Sequence, residues 1–373
     1  MRPRVGAGAA GVVAWTAVLA GCATVAPTPP SEWATVALPG DAAAVTLTAY
    51  RDELLVGTRP TDDTAAPGLV RLQGSTTTVL AVTPASGYGP EARWLSIAVD
   101  DGGDLVAVGG ARGGAHANVR WTVWRGSTES GLREEEQTFD TFGGWGAGDL
   151  VGAVAAPSGP AVVGSWGSRA AGLDAAVWLP QGSRWIRQDP DGTALESTPD
   201  ALVGPVAAAP DGSSVLIAGS LVRLATGSVT RAPAVWRSAG HVSQWSRVDL
   251  PDGGSSGEAT GAVCRQGSCT VVGSVDDRVA VWRLGQSVER LRGVPDTAAT
   301  DENPTSAPAL TDDGVLLAAS SSSGSTLLRE RAGAWSSVPG PPGPVRALAV
   351  VGQMVYAVVP DGSGTDRLWR TSL

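Results

Sequence analysis

Two histidines, three cysteines and one Gly/Ser-rich loop are the places in this 373-residue chain where site chemistry would have to start. Cys264 and Cys269 bracket "RQGS" inside a segment that reads as a hairpin. Four intervening residues can set the two side chains opposite one another on antiparallel strands, so a disulfide is expected, formed in an oxidising compartment. A metal pair is the alternative, but no further Cys or His lies nearby to complete it. So short a closed loop removes little chain entropy, which makes the bond a local staple. The loop "GGSSG" at 253–257 fits G-x-S-x-G, yet no helix follows it as a nucleophile elbow requires. His116 and His241 fall on loops of opposite faces in the register derived below, and two histidines cannot make a three-His metal centre. EF-hand spacing, a phosphate-binding glycine loop and a dinucleotide fingerprint do not occur, so no cofactor and no metal are expected. A glycosidase needs two carboxylates across a sugar. The 36 Asp and Glu residues offer many pairs, and the sequence singles out none.

Composition narrows the partners. Every one of the 27 basic residues is Arg, against 36 acidic ones, for a net charge of −9. Absence of Lys beside abundant Ala, Gly, Val and Pro reads as the codon bias of a GC-rich genome, not as selection of Arg for anion binding. An acidic chain without a basic run is a poor ligand for nucleic acid or anionic lipid.

The N-terminus pairs a basic Met-Arg-Pro-Arg with an apolar stretch over 5–20, shorter than the ~20 residues that span a bilayer. It ends in Leu19-Ala20-Gly21-Cys22, which resembles the lipobox of bacterial lipoproteins. The resemblance implies diacylglyceryl transfer to the Cys22 sulfur and cleavage just before it. Residues 1–21 are then a signal peptide, 22–32 a Pro-rich spacer and 33–373 the folded domain. Two or more acyl chains, at ~0.8 kcal/mol per buried CH₂, give stable anchoring. The expected location is the outer face of the cell membrane.

The elements that would position any site come from a repeat. An apolar strand, a tight turn, a second strand ending in Gly, a loop and a strand carrying "VW" recur along the chain; the clearest copy begins "VAAAPDGSSVLIAGS" at 206. The second-strand mark falls at Gly57, Gly109, Gly164, Gly219, Gly273, Ala319 and near Val359. The third-strand mark falls at Val70, Trp124, Trp178, Trp236, Trp282, Leu328 and Trp369. Both series step at the length of a four-stranded blade, which predicts an all-β, seven-bladed β-propeller, with six or eight blades as alternatives. The last copy stops after its third strand, while "WATVALPG" at 33–40 matches the fourth strands "WSRVDLPDG" and "WSSVPGPPG". The N-terminal strand should therefore close the last blade and remove the open sheet edges.

The turns "APDG" (209–212) and "TDDG" (311–314) resemble those of TolB-like and WD40-like propellers. "SAGHVSQW" (238–245) has the length of a sialidase Asp-box and keeps Ser238 and Trp245, but Gly240 and Val242 replace the expected Asp and Gly. The sialidase Arg triad and Tyr nucleophile cannot be mapped onto the chain, and a propeller fold does not fix a function.

Loop length separates the two faces. Loops joining blades and loops between second and third strands share one face; they include 84–93, 136–149, 165–174 and the insertion 220–232. They carry Tyr88, Phe139, Phe142, Trp145 and Trp166, to which Asp140, Asp149 and Arg169 add polarity. Aromatics on a loop-rich face suit a glycan or a protein partner, unless they tuck under the loops and plug the blade junctions. The expectation is a monomeric, non-catalytic binding propeller anchored at the cell envelope. The rival is a glycoside hydrolase or lyase with paired carboxylates near the central channel.

Overall fold

Each apolar run between Gly, Asp and Ser turns forms a strand, and the strands assemble into seven sheets in a ring, a seven-bladed β-propeller. The computed structural model describes residues 32–61, 66–113, 118–240, 242, 244–300, 305–321 and 324–373. Blade 1 comprises Ala43–Tyr50, Glu53–Arg59, Gly68–Gln73 and Thr76–Leu80, from the central channel outward. Blade 2 comprises Arg93–Val99, Asp104–Gly113, Asn118–Ser127 and Gly131–Glu134; Val82–Thr83 adds a short fifth strand parallel to the outermost one. Blade 3 runs from Ala147–Ala156 through Gly159–Gly167 and Leu173–Gln181 to Arg184–Arg187. Blades 4, 5 and 6 repeat the plan, opening with Ala201–Asp211, Gly257–Arg265 and Ala309–Leu310. Blade 7 holds Ala347–Val351, Met354–Pro360 and Asp366–Ser372, and its fourth strand is Ala34–Val36.

The ring thus closes as the repeat count requires: Ala34, Thr35 and Val36 pair antiparallel with Arg370, Trp369 and Leu368. Arg367 clasps the seam by bonding Asp41 at 2.6 Å, and the Thr371 hydroxyl donates to the Glu32 carbonyl. Strand Ala34–Val36 runs parallel to Met354–Pro360, so the described chain enters from the face of the short turns. Turns between first and second strands on that face span two to four residues, several with Gly at positive φ, such as Gly103, Gly212 and Gly352.

The repeated glycines have a shared physical cause. In blades 1 to 5 the first strand carries a bulge where it passes the second-strand glycine. A Cβ on Gly164, Gly219 or Gly273 would lie under 3 Å from the carbonyl oxygen of Asp149, Gly204 or Glu258. Glycine is required there for backbone approach, not for an unusual φ. Where the mark is Val359 the register runs on without a shift, and where it is Ala319 the first strand shortens to Ala309–Leu310. The repeated tryptophans fill the layers between blades. Trp124, Trp178, Trp236 and Trp282 are all fully buried. Trp178 and Trp282 also donate their indole N–H to the carbonyls of Thr141 and Pro251, in the loops entering their own blades.

One predicted loop is corrected. Residues 220–232 are not a loop but the upper half of a long hairpin, Ser214–Ala225 with Ser228–Ser238, paired down to Ala225 and Ser228. Alternating residues in "SLVRLATGSVTRA" satisfy their backbone groups across the pair, so the insertion continues the sheet and raises blade 4 above its neighbours.

Candidate functional site

The loop-rich face carries a concavity at the rim of blade 2. Its floor and outer wall come from strands Asn118–Ser127 and Gly131–Glu134, and its mouth from residues 86–88 and the one-turn helix Phe139–Phe142. The cavity measures about 410 Å³. Glu134 is buried and acts as an anchor: its carboxylate accepts from the backbone N–H groups of Ala85 (2.7 Å) and Ser86 (2.9 Å), and from the Ser86 hydroxyl. That set of bonds fixes the blade 1–2 loop and places Tyr88. Glu135 holds the other side, accepting from Arg125 (2.7 Å) and from the Trp185 indole N–H (2.8 Å). Gln137 bridges to blade 3 by donating to the Ser183 carbonyl and accepting from the Trp185 backbone N–H.

Between these anchors stands Arg120. Its guanidinium carbon lies 4.3 Å from the centre of the Phe139 ring and 6.0 Å from that of Tyr88. Such stacking is worth roughly 0.5–1 kcal/mol at exposed sites. Arg120 is half-buried and, among the described residues, makes no ion pair.

The structure divides the predicted face residues. Tyr88, Phe139 and Phe142 meet at this one cleft, with Phe142 buried against Trp178 at 5.3 Å. Trp166 instead lies half-buried under the neighbouring loop, edge-on to Trp178 at 6.1 Å, with Arg187 stacked on it at 4.7 Å. Trp145, after Gly144 at φ +98°, projects free of its loop and is 103% exposed. Asp140 is exposed, and a hydrogen bond from the Thr138 side chain holds its carboxyl below the usual range. Asp149 is exposed where blade 3 begins, and Arg169 pairs with Asp191 away from the cleft.

Arg120 and the apolar surroundings escaped the sequence reading. Ten large apolar side chains are exposed among the described residues. Seven of them, Tyr88, Leu95, Phe139, Trp145, Leu173, Leu224 and Val229, lie toward the loop-rich face between blades 2 and 4. The other three, Val79, Ile186 and Val338, lie on outermost strands, and none on a short turn of the opposite face. Their signal was weak because each is a single residue in a separate repeat.

The remaining chemical candidates resolve as follows. Cys264 and Cys269 are directly paired across the first hairpin of blade 5 and form a disulfide. Gln266 and Gly267, both at positive φ, make the two-residue turn that brings them together. In "GGSSG", Asp276 takes hydrogen bonds from the backbone of Ser255 and Ser256 and from the Ser255 hydroxyl. His116 and His241 lie outside the described residues, as does Cys22. First strands of the blades carry three carboxylates among the described residues. Glu258 is tied to Arg231 (2.7 Å) and Ser220, Asp211 is buried against Arg237, and Asp149 is exposed. Between them the inner strands are laced by hydroxyls: Thr48 donates to the Ile97 carbonyl at 2.6 Å, and Ser96 accepts from the Ala153 N–H.

No protein-family model matches the chain, and no curated protein sequence matches it. Solved structures match its fold. The β-propeller domain of Cps50 (Swd1) from Myceliophteria thermophila is similar with a TM-score of 0.60 at 11% identity, over 92% of this chain and all of that one. YCF48 bound to a D1 peptide is similar with a TM-score of 0.54 at 11% identity, over 91% of this chain and 97% of that one. The β-propeller domain of the Trilobed protease from Pyrococcus furiosus, of open velcro topology, gives 0.54 at 7% identity, over 88% of this chain and 95% of that one. The likeness extends to WD40-like and peptidase propellers alike.

Proposed function

We propose that the protein is a non-catalytic binding propeller of the cell envelope, anchored through acylated Cys22, that takes a protein partner on its loop-rich face between blades 2 and 4. One observation carries this reading: seven of the ten exposed large apolar side chains lie in that sector, with Trp145 wholly free. A rigid indole standing clear of its loop, rimmed by polar residues, is the composition of an interaction hot spot. Three further points support it. The described chain enters at the short-turn face, so an anchor ahead of Glu32 would leave the loop-rich face directed away from the membrane. The disulfide suits an oxidising compartment. YCF48, a propeller of the same fold, was solved with a peptide bound.

The test places a photo-crosslinking residue at the exposed position 140, on the same inter-blade loop as Trp145, in the full chain expressed in its native envelope. Capture of a discrete protein, lost on Trp145→Ala while the melting temperature stays within about 1 °C, is the expected result. Glycan capture in its place, or labelling no different from a crosslinker on a short turn such as 352, would refute the proposed partner class. Separately, Cys22→Ala should abolish palmitate labelling and release the protein; unchanged labelling would end the lipoprotein reading.

A further inference from the structure

We infer that the cleft at the rim of blade 2 is a carboxylate-binding pocket, and that the partner segment entering it carries one acidic group beside an apolar one. The inference rests on the reading of this face as a docking surface and narrows it to a ligand chemistry.

Arg120 carries the argument. A guanidinium offers five in-plane N–H donors and stacks through its faces. Here the faces are taken by the Phe139 ring and, more distantly, by Tyr88, which holds the group in place and leaves its donor edge free. Arg125, on the same strand, shows the contrasting case, with its donors used on Glu135 and on the Gly182 carbonyl. Among the described residues no acceptor serves Arg120 in this way. A stacked planar fork with no acceptor among the described residues, in a cavity of about 410 Å³, is a seat for a bidentate anion.

The surrounding carboxylates define which anion. Glu134 and Glu135 line the same cavity, but both already accept from donors that hold the loops together, so neither can turn to Arg120 without freeing those loops. Glu136 is exposed, lines the cavity and has no partner among the described residues. Its charge opposes a ligand with several negative groups and leaves room for a single carboxylate. Trp121 and Phe142 supply an apolar stretch of wall beside the polar Thr122, Gln137 and Thr138. Arg120 already covers a face of the Phe139 ring, so the cleft offers ring edges and an apolar wall more than an open platform for a sugar. A peptide carboxylate, from Asp, Glu or a chain terminus next to an apolar side chain, fits that combination best.

The experiment is a ligand-observed NMR titration of the full chain in detergent with N-acetylphenylalanine, its uncharged amide and glucuronate. N-acetylphenylalanine should bind at least tenfold more tightly than the amide, lose binding on Arg120→Gln, and bind several-fold more tightly to Glu136→Gln. Equal binding of acid and amide, or unchanged binding by Arg120→Gln, would overturn the inference. So would binding of glucuronate alone, which would reassign the cleft to acidic sugars. If Arg120→Gln does not fold, as judged by its melting temperature, the acid-to-amide ratio and the Glu136→Gln variant still decide the matter. Trp145→Ala should leave acid binding intact. Failure of the wild-type chain to capture any partner, with acid binding retained, defeats the docking reading alone, and the absence of acid binding with capture retained defeats this inference alone.

Discussion

Replacing Gly273 by alanine tests whether the repeated glycines exist for backbone contact. The φ of Gly273 is one that any residue adopts, so no conformational penalty attaches to the substitution. The added Cβ would instead lie under 3 Å from the Glu258 carbonyl oxygen and close to the Ala259 backbone, neither of which is a flexible side-chain tip. Relief requires moving the bulged strand Gly257–Arg265, which packs in the core layer containing Ala259, Val271 and Trp282. Overpacking of this kind costs about 3 kcal/mol, the upper part of its usual range. With an unfolding entropy of ~2.1 cal/mol/K per residue over roughly 340 residues, the melting temperature should fall by about 4 °C. Gly212→Ala is the control with the opposite character: φ is +57° and nothing lies within 4 Å, so it incurs only the cost of a left-handed conformation, about 1 kcal/mol. Thermal unfolding followed by tryptophan fluorescence reads both variants. A Gly273→Ala melting temperature within 1 °C of wild type, or one that falls less than that of Gly212→Ala, would refute the contact argument.

Reduction of Cys264–Cys269, or the double change to Ser, should remove at most about 2 kcal/mol, because the bond closes so short a loop. The ring should still melt cooperatively, within about 3 °C of wild type, and collapse of the whole domain would show the bond to be more than a local staple. Asp361 accepts from the Ser363 hydroxyl and from Arg367, which together hold its carboxyl well below the ordinary range. A carboxyl with a depressed folded-state pKa contributes stability above its unfolded value, near pH 4, and loses it as the pH falls further. Wild type should therefore melt above Asp361→Asn at pH 6, with the gap narrowing progressively as the pH falls below 4; a gap constant with pH would contradict this.

The blade count and the closure were readable because each rests on a residue that recurs once per repeat for a local reason. Gly219 is needed wherever a bulged strand presses on its neighbour, and Trp236 fills the layer between blades, so both leave a mark at every turn of the ring. The 220–232 segment reads as a loop by its length, although Val222 and Leu224 flank Arg223, and Val229 sits between Ser228 and Thr230, as in a strand pair. The candidate site was only half visible. Tyr88, Phe139 and Phe142 stood out as rare aromatics on long loops, and they do meet. Arg120 did not, since an arginine on a strand reads as an ordinary solvated residue until two rings from separate loops are known to close on it. Trp145 and Trp166 shared one sequence signal and went to opposite fates, because Trp178 offers a buried surface to Trp166 and nothing does so for Trp145.

The seam at blade 7 also determines how the molecule would bear mechanical load. A pull on the chain ahead of Glu32 acts along the axis of Ala34–Val36, across the direction of its hydrogen bonds to Leu368–Arg370. Those bonds are then sheared together instead of being peeled one at a time. Behind them, the Arg367–Asp41 pair resists the same displacement at the far end of the strand. Rupture of this three-residue strand would open the ring at a single place and leave the other six blades paired. For a chain held ahead of Glu32, the strand that completes the circle is also the first to take the load.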